Sequence, residues 1–561
     1  MSTSQISSSV ANMSISGVTH QLLAQPSPTS AHHAVRLLEA RYESLLSSGK
    51  FEPFLYPWGT AGAAIIILFL LLDHRDSRAL QQLRIPVWLC NVAISLYAVF
   101  YQRARNPAGA LGIGIISGWS MLWTGVLLVF NDCQRDYMRI EKRIQSQPGS
   151  EPRSNGHGLG ISTGRQINDD KSDGETDLKA RSHMNGALSD PKASQSPSGK
   201  YFWQQYPASF TDRLDWVVDV FTTFRGTAWN WRVAGVAPPP KHVTSSLPSE
   251  STPPAPFRPP IVHTHPDRRS LLRHNLFIFL RNALILDVLK TLVSHDPYFW
   301  GQVDTQIQPP YLPTALHFPA ALRFFRLLIA LGLMKFALQL IFSLGPIFFV
   351  GILPPNLLPV RAEAWDHPDQ FGPFSFIFTK GLAGWWGGFW HQTFRKGFEA
   401  PGQRAVEALG LKPKSLRGKM VQLFVAFGLS GLLHACGSMT QIGETRPLRG
   451  PFVFFLSQAV GISIEMGAKM WLKQKEWSQY VPSWVGKVGN FVFAHYWLYL
   501  TAPWMVEDFS KGGVWLFEPL PVSIFRGPLR LGDAEDGFRR WHGTFAKWHR
   551  GESWWKTGIA L

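Results

Sequence analysis

At roughly 150 residues per domain, 561 residues would make three or four soluble domains, but only 17% of them are charged while 23 Trp and 39 Phe make the chain unusually aromatic. That balance disfavours an ordinary cytosolic enzyme, and the mean hydropathy of −0.03 averages long apolar runs with stretches of Ser, Pro, Gly and charge. An excess of 55 Lys and Arg over 38 Asp and Glu, interleaved with apolar runs, favours an anionic membrane surface or a phosphate-bearing substrate over nucleic acid.

The first fifty residues are polar and lack an early apolar core, so they read as a tail rather than a cleaved signal. Three runs long enough to cross a bilayer as helix follow, Phe54 to Leu72, Ile85 to Tyr101 and Ala108 to Phe130, and make residues 51–143 a first transmembrane group. Residues 144–200, chiefly Ser, Gly, Asp and Lys, cannot bury enough apolar surface to fold alone and read as a disordered loop. Within 201–275, Leu214 to Arg232 is amphipathic and Trp-rich, suited to the membrane interface, and the proline-rich stretch from Val236 to His265 reads as an extended linker. A weak span, Leu276 to Val293, carries Arg281, Asp287 and Lys290. Stronger ones follow at Leu327 to Leu353, Val421 to Met439, Val453 to Trp471 and Phe491 to Val506, within a core of residues 276–527 and ahead of a tail at 528–561. The pattern predicts an all-α polytopic transmembrane bundle of about seven to nine spans with interfacial or re-entrant segments. Lys and Arg bias puts the connections after the first and third spans, and the stretch from Arg361 to Lys419, on one side of the membrane, the cytosolic one.

His434, in VAFGLSGLLHACGSM, is the sole acidic or basic side chain of its 19-residue run. At that depth neutral imidazole is the tolerable form, and its free ring nitrogen can act as a general base. The same residue with Gly428, Gly431 and Ala435 also fits a helix-packing face with a hydrogen-bonded structural His. The second candidate is GLAGWWGGFWHQTFRKGF, Gly381 to Phe398, whose paired glycines favour a re-entrant or interfacial segment. There Trp390, His391 and Gln392 can face a cavity while Arg395 and Lys396 receive the phosphates of a nucleotide-like cofactor. Aromatics followed by basic residues also mark any helix end at the headgroup layer. Glu465 and Lys469, four apart on one helix, most simply neutralise one another. HTHPD at His263 to Asp267 has the HxxxD spacing of soluble acyltransferases without their DFGWG partner. Three scattered cysteines, Cys90, Cys133 and Cys436, support neither a disulfide framework nor a zinc site, and no Walker A loop, dinucleotide fingerprint or GxSxG occurs.

The tryptophan-rich stretch ending in WHQ, followed by SGLLHA inside an apolar helix, resembles the wax synthase-like branch of the membrane-bound O-acyltransferases, and more narrowly the fungal secondary-metabolite O-acetyltransferases. FRGTAWNW at Phe224 to Trp231, TAPWMVEDF at Thr501 to Phe509 and KGGVWLFEPLPVSIFRG at Lys511 to Gly527 extend the likeness over roughly Leu214 to Gly527. The resemblance implies an endoplasmic-reticulum enzyme moving an acyl group from acetyl-CoA, or a longer acyl-CoA, to a lipophilic alcohol. No bound cofactor is implied. By position in the motif His434 would be the principal catalytic residue and His391 the second polar site. Long-chain wax ester formation is the alternative within this class; a transporter or a non-catalytic scaffold lies outside it.

Overall fold

The structure is a computed structural model that describes residues 27–143, 200–247, 261–476, 479–541 and 546–561. In chain order its longer helices are α1 (Ala31–Ser47), α2 (Ala61–Leu71), α3 (Arg78–Tyr101), α4 (Pro107–Gly125), α5 (Phe210–Thr222), α6 (Arg268–Ser294), α7 (Pro319–Pro346), α8 (Arg395–Ala408), α9 (Leu416–Met439), α10 (Val453–Gln474) and α11 (Ser483–Gly512). Short π-helical turns extend α4 to Phe130, extend α7 to Ile352 and precede α10 from Leu448. Among the described residues five segments are long and apolar enough to cross a membrane: Arg78–Tyr101, Pro107–Phe130, Pro319–Ile352, Leu416–Met439 and Leu448–Gln474. With α2, α6 and α11 they alternate in direction as an antiparallel bundle of eight. This is the polytopic helical fold that the apolar runs predict.

The connections fix which helix ends lie together. At one end Trp123 Nε1 donates to Phe221 O, Lys142 pairs with Glu363 at 2.8 Å, Arg268 Nε donates to Val350 O and Arg404 Nη2 donates to Phe130 O. The connection after the first span joins this end through His74 and Arg84, which reach Asp132 at 3.1 and 3.2 Å, so the three basic connections lie together. At the opposite end Thr440 Oγ1 donates to Ala110 O at 2.7 Å, and Asp296 holds Arg326 through two bonds of 2.9 Å.

Several stretches add to or differ from the sequence expectation. The first span is helical only from Ala61, because Phe54 to Tyr56 spend their backbone bonds in small sheets: β1 (Glu52–Pro53) pairs with β3 (Gln102–Arg103), and β2 (Leu55–Tyr56) pairs with β7 (Gly558–Ala560). The tail at 528–561 is therefore tied down, with β6 (Lys547–His549) on the far side of β7. The polar tail at 1–50 contains α1, started by Ser30 accepting from His33 N, and anchored by His32 to Asp536 at 2.9 Å and Arg36 to Glu535 at 2.7 Å. The Trp-rich stretch from Leu214 to Arg232 leaves the helix at Thr222 and turns inward: Trp216 and Trp229 are fully buried, and Gly226 takes φ +66°, where a Cβ would strike Trp231. These indoles pack on the bundle, while Phe210, Leu214 and Val218 on the helix before them are exposed.

The loop read as disordered lies outside the described residues. The strands flanking it, β4 (Arg139–Arg143) and β5 (Lys200–Gln204), pair antiparallel from Arg139↔Gln204 to Arg143↔Lys200. In the proline-rich stretch, residues 248–260 also lie outside, and the described part includes a helical turn at Lys241–Thr244.

Candidate active site

α9, the helix of His434, is held against α4 by small residues. A Cβ on Gly114 would stand 2.0 Å from Cys436 O, and one on Gly437 would stand 2.8 Å from Ile115, so the two backbones touch. Deep in this sandwich His434 Nδ1 lies 2.8 Å from Ser430 O, one turn back, and the imidazole stacks on Phe455 of α10 at 4.2 Å between centroids. A carbonyl can only accept, so Nδ1 carries the hydrogen and Nε2 keeps its lone pair. Nε2 has no protein partner among the described residues, and the side chain keeps part of its surface accessible. The histidine is thus placed in the tautomer a base requires.

His391 arrives on a segment that enters and leaves at the same end of the bundle. A short helix, Ser375–Lys380, stops at Gly381, whose φ of +66° and ψ of −137° turn the chain into the interior. There Glu465 of α10 accepts from Ala383 N at 3.2 Å and pairs with Lys469 at 3.0 Å, so the neutralising pair also anchors the turn. Asn490 of α11 donates to Phe378 O. The glycines of WWGG form a π-helical turn, Trp385–Phe389, that brings Trp386 against Phe427, Phe454 and Phe455 and lets its Nε1 donate to Gln458 at 3.3 Å. The chain then returns outward through His391 to α8. The paired glycines predict a re-entrant or interfacial segment, and here the chain runs inward and back.

His391 is enclosed by Phe342, Phe371, Trp390 and Phe394, all with ring centroids 5.6–5.8 Å away. Its Nδ1 is buried without a hydrogen-bond partner. A buried unpaired ring nitrogen is costly in an apolar cage and is a place for a ligand's polar group. The two histidines fall within electrostatic range of one another, and a chain of rings joins them: Phe455 to Trp386 at 5.7 Å, Trp386 to Trp390 at 6.1 Å, Trp390 to His391 at 5.7 Å.

The other candidates are placed differently. Gln392 turns back on its own loop, its Nε2 donating to Trp386 O and Trp390 O at 2.8 and 2.7 Å. Arg395 spends its guanidinium on Gln392 Oε1 and on Glu399, at 2.9 and 2.5 Å, so it braces the loop. Lys396 lies 5.5 Å above the Trp231 ring, and burial lowers its ammonium pKa from the ordinary lysine value. Sequence spacing could not give the contact of Lys396 with Trp231. Phe455, Ser430 and Gln458 were not singled out beforehand, although Ser430 stands the one helical turn before His434 that a backbone-carbonyl bond needs.

Residues 367–457 match the model of the membrane bound O-acyl transferase family. That window holds both histidines, the re-entrant segment and Phe455. Over this window the chain is similar to the membrane bound O-acyl transferase family. Among its relatives, acetyltransferase ple2 of Rhodocybe pseudopiperita is 26% identical over 327 residues, covering 57% of this chain and 74% of the relative. Acetyltransferase aurG of Calcarisporium arbuscula is 25% identical, covering 53% and 65%. O-Mevalon transferase yanI of Aspergillus niger is 25% identical, covering 57% and 66%. No solved structure matches the chain. These likenesses, with the apolar helices, mark the chain as an acyltransferase enzyme with a membrane-embedded helical body, similar to acetyltransferases of fungi.

Proposed function

We propose that the protein moves an acetyl group from acetyl-CoA to a hydroxyl of a lipophilic secondary metabolite, a terpenoid, meroterpenoid or polyketide-derived alcohol, in the endoplasmic reticulum membrane. The observation that carries this reading is the bond from His434 Nδ1 to Ser430 O, which leaves Nε2 free inside an aromatic, water-poor bundle. The alcohol's proton passes to Nε2 as its oxygen attacks the thioester carbonyl. The C–S bond then breaks, and the thiolate of coenzyme A recovers the proton from the imidazolium. An aliphatic alcohol is almost wholly protonated at neutral pH, so such a base supplies about 10² to 10⁴ in rate. A thiolate leaves readily, and direct transfer needs no covalent acyl-enzyme.

His391 serves in this reading as a hydrogen-bond donor or acceptor to the acyl or alcohol oxygen, through the Nδ1 that has no protein partner. Trp390 and the surrounding phenyl rings exclude water that would hydrolyse the thioester. Lys396 contacts the phosphates of coenzyme A at the basic end, and Arg395 positions Gln392 and the loop instead of the donor.

The test is ester formation. Membranes containing the chain are incubated with labelled acetyl-CoA or a longer acyl-CoA and a panel of lipophilic alcohols. Labelled ester and free coenzyme A should appear in equal amounts, with acetyl-CoA the best donor, and Lys396→Ala should chiefly raise the donor KM. Preference for a long-chain donor would give the wax ester reading, and coenzyme A-independent uptake without ester would remove the reaction altogether.

A further inference from the structure

Outside this site, the segments around the proline-rich connection assemble a cluster that acyl transfer does not use. His263 and His265 stand just before α6, His274 lies in its second turn, and Asp369 is on the loop leading to the re-entrant segment. His265 Nε2 is 3.1 Å and His274 Nε2 is 3.5 Å from the same oxygen, Asp369 Oδ1. The His263 and His265 rings are 4.7 Å apart, and those of His265 and His274 are 4.6 Å apart. The ligand atoms of His263, His265 and Asp369 all lie within 4.8 Å of one another.

Four ligands about 2.0–2.1 Å from a tetrahedral zinc ion stand about 3.3–3.4 Å from each other. The two contacts to Asp369, 3.1 and 3.5 Å, bracket that edge length, so two of the six edges already have it. His263 is exposed, and its ligand atom lies within 4.8 Å of those of His265 and Asp369. The donors are three imidazoles and one carboxylate, which select zinc or a similar divalent transition metal over magnesium or calcium.

The supporting shell is also present. Asp369 N donates to His263 O at 2.9 Å, and buried Arg225 reaches Asp369 O and Pro368 O at 2.7 and 2.6 Å, fixing the carboxylate's backbone. A single carboxylate would be satisfied by one or two imidazoles; a third, gathered from the other side of His265, has no hydrogen-bonding reason to be there.

We propose that His263, His265, His274 and Asp369 form a structural zinc site. Its four protein ligands leave no open position for substrate. The site clasps the connection before α6 to the loop at 367–372, whose Phe371 packs on Trp390 and His391 at 5.5 and 5.8 Å and whose Gly372 N donates to Phe389 O. It would hold one wall of the candidate active site without touching the reaction. The cysteine spacing that argued against zinc in the sequence says nothing about these ligands.

The test uses the full chain in nanodiscs, purified through a tag free of histidine and stripped with a chelator. Zinc content by mass spectrometry and titration with zinc should show one saturable site per chain, with added zinc raising the unfolding temperature. Cobalt in its place should give the intense visible bands of a tetrahedral site. H263A, at an exposed position, and the double variant H263A/H274A should weaken binding by roughly tenfold and a hundredfold or more, while tryptophan fluorescence confirms that both are folded. A wild-type chain without saturable zinc binding, or folded variants that bind as the wild type does, would overturn the proposal whatever the outcome of the ester assay.

Discussion

Replacing Gly381 by Ala tests how the re-entrant segment is held. At φ +66° and ψ −137° an L residue is strained by about 1–3 kcal/mol. The added Cβ would also stand 1.6 Å from Glu465 Oε1, so that carboxylate must leave. With it goes its bond to Ala383 N, a charge-assisted hydrogen bond of about 1.5–3 kcal/mol. The sum, about 2.5–6 kcal/mol, is a large fraction of the 5–15 kcal/mol that usually separates folded from unfolded states. Gly387, six residues on in the same segment, is the control, since a Cβ there meets nothing within 4 Å. Purified G381A and G387A would be compared by thermal unfolding in detergent, followed by tryptophan fluorescence, and by ester formation. G381A should unfold several degrees lower and lose most activity, and G387A should match the wild type. Equal stability and activity in G381A would refute the role given to this turn.

Gly114→Val should push α4 off Cys436 of α9 and shift His434, lowering both stability and kcat; unchanged kcat in the folded variant would contradict the close-packing argument. Asp508→Ala removes the acceptor for Ser438 Oγ at 2.6 Å and Arg446 N at 2.5 Å, and should cost about 1–3 kcal/mol in thermal or denaturant unfolding. Burial alone would raise the Glu518 pKa, but Lys290 and the paired bonds from Arg526 bring it down to about 2. A depressed carboxylate stabilises the fold above its ordinary pKa near 4.5 and loses that contribution as pH falls toward 2. The stability gap between wild type and Glu518→Gln should therefore be widest near pH 7 and shrink by pH 3, as read by thermal unfolding.

Much of the bundle was legible because bilayer-length apolar runs have few alternatives as structure. The ends of runs were less so: Phe54 to Tyr56 are as apolar as the helix that follows, but their strand partners lie at residues 102–103 and 558–560, beyond any local window. In the Trp-rich stretch the inward turn after Thr222 was not legible, since amphipathicity reports two unlike faces without saying which partner covers the indoles. At the site, depth in an uncharged helix singled out His434, and paired glycines singled out the turn before His391. The partner of Arg395 was four residues away at Glu399, within reach of a helical-spacing argument. The cluster around Asp369 could not be read, because its ligands come from three stretches that only the fold brings together.

The central claim is that His434 Nε2 accepts the alcohol's proton. The most direct measurement is the single-turnover rate of ester formation by His434→Gln and wild type, at saturating donor and matched amounts of folded protein. The account predicts a fall of about 10² to 10⁴ with little change in donor affinity. A rate within about threefold of wild type, less than 1 kcal/mol in the barrier, would contradict it.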